Sequence, residues 1–235
     1  MKKKLVFITG AGISAESGIR TFRDSDGLWE EYPVMQVASI QGYQRDRELV
    51  IRFYNERRHQ LLNCKPNLAH QLVAALEEDY DVTVVTQNVD NLHEKAGSSK
   101  VIHLHGELMK ATSSNNPNDP NCIVEMSAEN PDIHIGDKAK DGSQLRPFIV
   151  WFGEAVPQIE PAIIEVSQAD IIVIIGTSLN VYPAAGLINY AHYDAKMYLI
   201  DPHPANVDPT LHVHVIKNVA TEGMKELNEL LKEQA

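Results

Sequence analysis

Cysteine is nearly absent: the 235 residues hold only Cys64 and Cys122. Two thiols cannot build a disulfide framework or a four-thiolate zinc site, so reduced thiols in a reducing compartment are expected. Positive charge is scarce as well, with 21 Lys and Arg against 32 Asp and Glu and a net charge of −11. That balance excludes a general nucleic-acid surface, because phosphate binding needs a basic field. Long apolar runs are missing too. Ile171 to Ile175 is far shorter than the roughly 18–20 residues a membrane helix requires. Near the start, Lys2-Lys3-Lys4 precedes Leu5-Val6-Phe7-Ile8 in the manner of a signal peptide, but the apolar part stops at Thr9-Gly10 with no cleavage-type segment. The expectation is a cytoplasmic protein with neither nucleic acid nor membrane as partner.

What is present is ordinary globular composition, 43% hydrophobic and 23% charged, enough for a real core. Short, almost wholly apolar strand candidates recur at Leu5 to Thr9, Val82 to Thr86, Val101 to Leu104, Phe148 to Phe152, Ile171 to Ile175 and Met197 to Ile200. Strands apolar on both faces belong inside a parallel sheet covered by helices. Helical patterns lie between them, at Asp46 to Leu62, Asn67 to Glu78, Pro157 to Ser167 and Pro183 to Tyr193, with Thr221 to Gln234 last. The alternation predicts an α/β, doubly wound fold. Two stretches break it, about 24–63 and 109–145. The second, rich in Asn, Asp, Pro and Ser, is long for a structureless connection, so it is either a small module on the sheet or a mobile loop.

Chemistry concentrates at strand ends. The first strand runs into Gly10-Ala11-Gly12-Ile13-Ser14-Ala15, a G-x-G-x-x-A turn opening toward a helix. Small residues there let backbone amides approach a pyrophosphate at the positive end of a helix. The acid that usually holds the ribose about 20 residues later falls in loop-like sequence around Asp24, so the ligand is expected to be held differently from a dehydrogenase's. Gln87-Asn88-Val89-Asp90 begins where a buried strand ends and delivers amides and a carboxylate to the sheet's carboxyl edge, where ligands sit. A helix cap explains one such residue, hardly all of them. Next come His103 and His105, on one face if the strand continues, and His212 and His214 likewise. Two imidazoles make an incomplete metal site; a single histidine at a strand end reads better as an acid/base. Gly176-Thr177-Ser178 adds another small polar turn after the most apolar strand.

These motifs, together with Gly18, Phe22-Arg23, His105-Gly106 and Trp151-Phe152-Gly153-Glu154, resemble in order and spacing the sirtuin family of NAD-dependent protein-lysine deacylases, over nearly the whole chain. The resemblance implies a Rossmann-like parallel sheet with helices on both faces. It also implies a smaller module from the two insertions, one sirtuin-type domain over 1–235, and a cleft for NAD and an acyl-lysine peptide or protein. Residue by residue, it implies Gly10, Ala11, Gly12 and Ala15 at the phosphate turn, and Phe22 and Arg23 on a cofactor loop. Gln87 would meet the nicotinamide ribose, while Asn88, Val89 and Asp90 line the nicotinamide pocket. Gly176, Thr177 and Ser178, with Asp201 and Ala220, would lie on the adenosine side. Val150, Phe152 and Gly153 would flank the acyl-lysine, and Glu154 with Leu179 to Tyr182 would border the peptide channel. His105 is the implied general base, forming with Asn88 and Asp90 the catalytic set. The implied reaction expels nicotinamide as the acyl oxygen attacks the ribose, and yields free lysine and an acyl-ADP-ribose.

Two departures stand out. Family members usually carry four zinc cysteines in the smaller module, whereas 109–145 holds only Cys122, with Ser113 and Ser114 near where a first thiolate would be expected; no metal is therefore assigned. Asp201 stands where an asparagine is frequent; an acid there accepts ribose hydroxyls and disfavours a 2′-phosphate. Within about 24–63, Tyr54 and Arg57 are three residues apart and share a helical face. That spacing also suits an amphipathic surface helix, but Tyr-x-x-Arg resembles the signature of the bacterial subclass that removes malonyl and succinyl groups, with deacetylation retained alongside. Ala15 would keep that pocket wide. Two other readings stay open: ADP-ribosyl transfer or NAD hydrolysis, and a non-catalytic NAD or ADP-ribose sensor. Nicotinamide release with an acylated peptide, release without it, or binding without turnover separates the three.

Overall fold

The computed structural model describes residues 2–19, 32–206 and 208–233. Its strands are β1 (Lys4–Thr9), β2 (Asp81–Thr86), β3 (Val101–His103), β4 (Gly106–Ser113), β5 (Val124–Glu125), β6 (Leu145–Ile149), β7 (Ile171–Ile175), β8 (Lys196–Ile200) and β9 (His214–Ile216). Its α-helices are α1 (Val34–Val37), α2 (Ile40–Arg45), α3 (Arg47–Leu62), α4 (Leu68–Ala75), α5 (Leu92–Ala96), α6 (Ile159–Ser167) and α7 (Ala220–Lys232). Six strands form one parallel sheet in the order β3-β2-β1-β7-β8-β9; β5-β4-β6 form a separate antiparallel sheet. The expected Rossmann-like α/β architecture is what the chain adopts, and the small antiparallel sheet stands beside it.

Alternation along β1 explains why the large sheet is covered twice. Leu5 and Phe7 face α4 and α7, meeting Val73, Met224 and Leu227. Val6 and Ile8 face the other way, toward Ala162 and Val166 of α6 and Leu187 of a 3₁₀ segment, Ala184–Tyr190. A strand buried on both faces must be apolar at every position, as Ile171–Ile175 is. A third core joins α2 and α3 to the small sheet, through Tyr43, Phe53, Tyr54, Leu108, Ile133, Ile149 and Trp151. At its centre the fully buried Arg58 donates to the carbonyls of Leu108 (2.8 Å) and Pro131 (3.1 Å) and to Asn55 (2.6 Å), fastening α3 to the second insertion.

Three expectations are corrected. The apolar run Phe148 to Phe152 is not a strand of the parallel sheet. The strand is Leu145–Ile149, antiparallel to β4, and its hydrophobicity serves the third core. Strand β3 ends at His103 and the chain turns at Leu104 and His105 into β4, which begins with Gly106 at a left-handed φ of +82°, so His103 and His105 do not share a strand face. The helices foreseen at Gly10's turn and from Pro183 are 3₁₀ segments, Ala11–Ser17 and Ala184–Tyr190. Stretch 109–145, for which a small module or a mobile loop is expected, carries most of β4, a 3₁₀ turn at Pro120–Cys122 and all of β5.

Candidate active site

The carboxyl ends of the parallel strands are level. Thr9 pairs with Thr86 and Ile175, Thr86 with His103, and Ile175 with Ile200. The chain builds outward one way from β1 through β2 and β3, and the other way through β7, β8 and β9, so the crevice between β1 and β7 is the topological switch point. Every strand-end motif read from the sequence opens onto this edge: Gly10 after β1, Gln87 to Asp90 after β2, His105 after β3, Gly176 to Ser178 after β7 and Asp201 after β8.

Two glycine turns form the floor. The Gly10 amide donates to the Ile175 carbonyl (3.0 Å), the Gly12 amide to the Gly176 carbonyl (2.9 Å), and the Gly176 amide to Ile200 (3.0 Å). Gly176 has φ +60°, and a Cβ on Gly12 would lie 2.5 Å from the Gly176 Cα. Glycine is required because backbone meets backbone here. Ala11 and Ala15 lie in the 3₁₀ segment just beyond. Ala220, at the start of α7, is buried in the core it shares with Ile13, and Glu16 accepts hydrogen bonds from the neighbouring Thr221 amide (3.0 Å) and hydroxyl (2.7 Å). Phe22 and Arg23 lie outside the described residues.

The polar cluster is tied into this floor. Asn88 donates its side-chain amide to the Gly10 carbonyl (3.0 Å) and to Ser14 Oγ (3.2 Å). Asp90 accepts from Ser14 Oγ (3.0 Å) and from the Leu92 amide (3.1 Å), and burial, opposed by those bonds, lifts its carboxyl above the usual range. Gln87 spans the crevice to Thr177 Oγ1 (2.9 Å). The Val89 carbonyl accepts from the Leu108 amide, which joins the cluster to the small sheet. Beneath lie further buried polar residues, of which the sequence reading passed over His70. Thr9 Oγ1 meets Thr86 Oγ1 (2.8 Å) and His93 Nε2 (3.1 Å), and His70 stacks edge-on to His93 and reaches Ser14 (3.4 Å). Burial pushes His70 down to about 4 and His93 well below the ordinary range. Nothing in the sequence around His70 marks it, because its partner Ser14 is 56 residues away.

His105 is half-buried. Its Nδ1 lies 2.9 Å from the Gln87 carbonyl, and burial, despite that bond, keeps the imidazole below its usual pKa. Its neighbour His103 is instead held between the Asn88 carbonyl (2.9 Å) and Glu94 (2.7 Å). Glu94, His103 and Glu107 offer three atoms within 4.8 Å, but Glu94 is already bonded to His103 and Glu107 to Lys110 (2.8 Å).

The Val150 amide donates to the His105 carbonyl (3.0 Å), so the segment after β6 runs beside His105. Phe152 exchanges backbone bonds with Ala38 (2.9 Å) and Ile40 (3.1 Å), keeps a half-exposed ring, and is followed by Gly153 at φ +92°. Tyr54 is buried and accepts from the Trp151 indole N–H at 3.0 Å. One helical turn on, the Arg57 side chain is drawn in to 17% exposure, with its guanidinium 4.8 Å from the Phe53 ring centre. Asp201, 4% exposed, accepts from the His203 amide (2.7 Å).

The residues in the small module do not fit a structural zinc. Buried Ser113 donates to Asp141 (2.6 Å), meets Ser143 Oγ (2.9 Å), and accepts from the amides of Asn115 (3.0 Å) and Asn116 (2.9 Å). Burial raises the Cys122 thiol, which lies 3.7 Å from Asp119. Hydroxyls and a protonated thiol are poor zinc donors.

The Sir2 family model matches residues 10–183. A protein of Bacteroides thetaiotaomicron named NAD-dependent protein deacylase is 61% identical over 97% of this chain and 98% of its own length. One of Helicobacter pylori with the same name is 52% identical over 99% of both chains. Among solved structures, a Sir2 homologue with ADP-ribose superposes at TM-score 0.88 with 39% identity, covering 99% of this chain and 93% of the other. A Sir2 homolog–NAD complex superposes at 0.84 with 38% identity, covering 99% and 91%.

Proposed function

The chain belongs to the Sir2 family and is an NAD-dependent protein deacylase, and we propose that within that activity it prefers lysines whose acyl group ends in a carboxylate. NAD would lie in the β1/β7 crevice, with its phosphates on the Gly10–Gly12 turn. Asp201, a buried acceptor at the end of β8, suits a ribose diol. When bound, NAD supplies an electrophilic ribose carbon and nicotinamide as leaving group.

Around it this chain's residues position and move protons. A carbonyl can only accept, so His105 carries its proton on Nδ1 and turns Nε2 outward as a base. A lowered pKa keeps that nitrogen unprotonated near neutral pH. Asn88 and Asp90, fixed by Ser14 and Gly10, are already oriented before ligand arrives, which reduces the cost of reaching a reactive geometry. His105 at the strand edge beside this prearranged pair is the observation that carries the deacylase reading.

Acyl preference is supported by Tyr54 and Arg57, a phenol and a partly desolvated guanidinium one helical turn apart on α3, in or beside the core that holds Trp151. A guanidinium can bind a carboxylate through two charge-assisted hydrogen bonds, whereas an acetyl group offers no anion. Acylated proteins or peptides are the proposed partners, bound along Val150 to Glu154. The cytoplasm is the proposed location, supported by the free thiols of Cys64 and Cys122. No helix among the described residues is long and apolar enough to cross a membrane. The two insertions, about 24–63 and 109–145, are proposed to build the smaller module, supported by the core that joins α3 to the small sheet.

The test is nicotinamide release from NAD with a matched peptide bearing acetyl-, malonyl- or succinyl-lysine. Succinyl- or malonyl-lysine should be turned over efficiently, and Arg57→Met should depress succinyl turnover far more than acetyl turnover. Equal losses for both would sink the acyl preference and leave the deacylase standing.

A further inference from the structure

Tyr54 does not stand alone. Its phenol oxygen lies 3.0 Å from the indole nitrogen of Trp151. An indole N–H can only donate, so in this bond the phenol is the acceptor. A hydroxyl carries one proton; that proton is therefore left for some other group, and among the described residues no second hydrogen bond of the phenol is found. Burial also raises the phenol's pKa, which keeps it protonated and able to donate.

The indole is fixed from behind. Trp151 is 2% exposed. The Arg146 guanidinium carbon stands 3.6 Å from the centre of its ring, close enough for a cation–π contact that also draws electron density from the ring and strengthens its N–H as a donor. Arg146 is held by both oxygens of Glu154 (2.7 and 2.9 Å) and donates to the Ile149 carbonyl (2.6 Å). Glu154 in turn accepts from the Trp151 backbone amide (2.9 Å), which closes the loop. The Tyr43 ring, 4.8 Å away, covers another side of the indole.

We infer that Trp151 is a specificity-determining positioning residue: by donating its indole N–H to Tyr54, it commits the phenol's own proton to the acyl group and so makes Tyr54 a dedicated donor to an acidic acyl tail. The inference rests on the acidic-acyl reading above. A donor-only phenol helps an acyl group that ends in an acceptor and is indifferent to a methyl, so the buried Trp151 indole acts on the difference between substrates through Tyr54.

The experiment measures kcat/KM for succinyl- and acetyl-lysine versions of one peptide with wild type, Trp151→Phe, Tyr54→Phe and the double variant. Phenylalanine keeps an aromatic ring against Arg146 and removes only the N–H donor and some volume. Trp151→Phe should lower the succinyl/acetyl ratio roughly three- to tenfold, the worth of one hydrogen bond, mainly through the succinyl KM. Because Trp151 acts through Tyr54, the double variant should show no lower ratio than Tyr54→Phe alone. Equal losses on both peptides, or ratios that multiply in the double variant, would overturn the inference. If Arg57→Met lowers the ratio and Trp151→Phe does not, Trp151 is dismissed and the acyl reading survives. If neither does, both fall. A wild-type measurement covers the case of a misfolded variant. With ¹⁵N-tryptophan, the chain has two indole signals, assigned by Trp29→Phe. The Trp151 N–H should shift on adding succinyl-lysine peptide and much less with acetyl-lysine peptide; identical responses would overturn the inference.

Discussion

His105 and Gln87 are joined by a hydrogen bond that selects the imidazole tautomer: Nδ1 donates to the Gln87 carbonyl at 2.9 Å, which leaves Nε2 as the nitrogen the proposed base role uses. A positioned general base of this kind contributes on the order of 100- to 10,000-fold. His105→Ala should lose peptide deacylation by about that factor, with its melting temperature and its ADP-ribose affinity close to wild type. Near-native turnover by the variant would show that the proton goes elsewhere.

The small module is expected to be free of structural zinc and to rely on Ser113. Its hydroxyl satisfies the amides of Asn115 and Asn116 and meets Asp141 and Ser143. Ser113 is buried but its partners Asn115, Asn116 and Asp141 are exposed, so water takes over their bonds in Ser113→Ala and the cost is that of an ordinary hydrogen bond, about 0.5–1.5 kcal/mol. Metal analysis of tag-free protein should find far less than one zinc per chain, and chelator should not change activity. Asp141 adds a pH signature: the Ser113 and Ser143 bonds hold its carboxyl below the ordinary range, so its contribution is present above the unfolded value and fades as pH falls through the folded one. Stoichiometric zinc with activity lost on chelation would reverse this account of the module.

How much of this was readable before the fold was known depends on the kind of residue. Ile171–Ile175 is found to the residue because a central parallel strand is apolar on both faces, a pattern few other elements share. Strand-end motifs are readable because glycines at a sheet's carboxyl edge mark close backbone approach, and amides there are not explained by apolar packing. Phe148 to Phe152 is equally apolar, but an apolar run does not say which sheet it joins, and its partner β4 is set by antiparallel pairing across more than thirty residues of polar chain. Ser14, His70 and Asp90 come together only in three dimensions, and no local spacing announces them.

His70 should make stability pH-dependent. Its pKa is pushed down to about 4, chiefly by burial. The unfolded chain, with an ordinary histidine near 6.5, therefore binds more protons than the folded chain between those values. Its stabilising contribution is complete above about 6.5 and is lost as pH falls toward 4, amounting to roughly 3 kcal/mol at the full shift. His93, depressed in the same direction, adds to the slope. Thermal melts should show a fall from pH 7 to pH 5 that is shallower in His70→Gln. An identical slope in the variant would mean that other groups govern acid sensitivity.

The contact between Gly12 and Gly176 yields the sharpest backbone prediction. An alanine at position 12 would put its Cβ 2.5 Å from the Gly176 Cα and 2.9 Å from its carbonyl oxygen, and neither backbone atom can rotate away as a side-chain tip would. The two turns must separate, at a cost of roughly 1–3 kcal/mol for overpacking. Separation also spoils the Gly12 amide's bond to the Gly176 carbonyl, so the loss should appear in ligand affinity as well as in stability. Gly186→Ala is the matched control. A Cβ there finds only Tyr182 at 3.8 Å, and the φ is not left-handed, so the substitution should leave the melting temperature level or slightly raised. Differential scanning calorimetry together with ADP-ribose titration should therefore show Gly12→Ala less stable and binding at least about tenfold more weakly, since a 1.4 kcal/mol loss already gives that factor. If Gly12→Ala melts and binds as Gly186→Ala does, the two turns are not in contact and the floor of the cleft is built some other way.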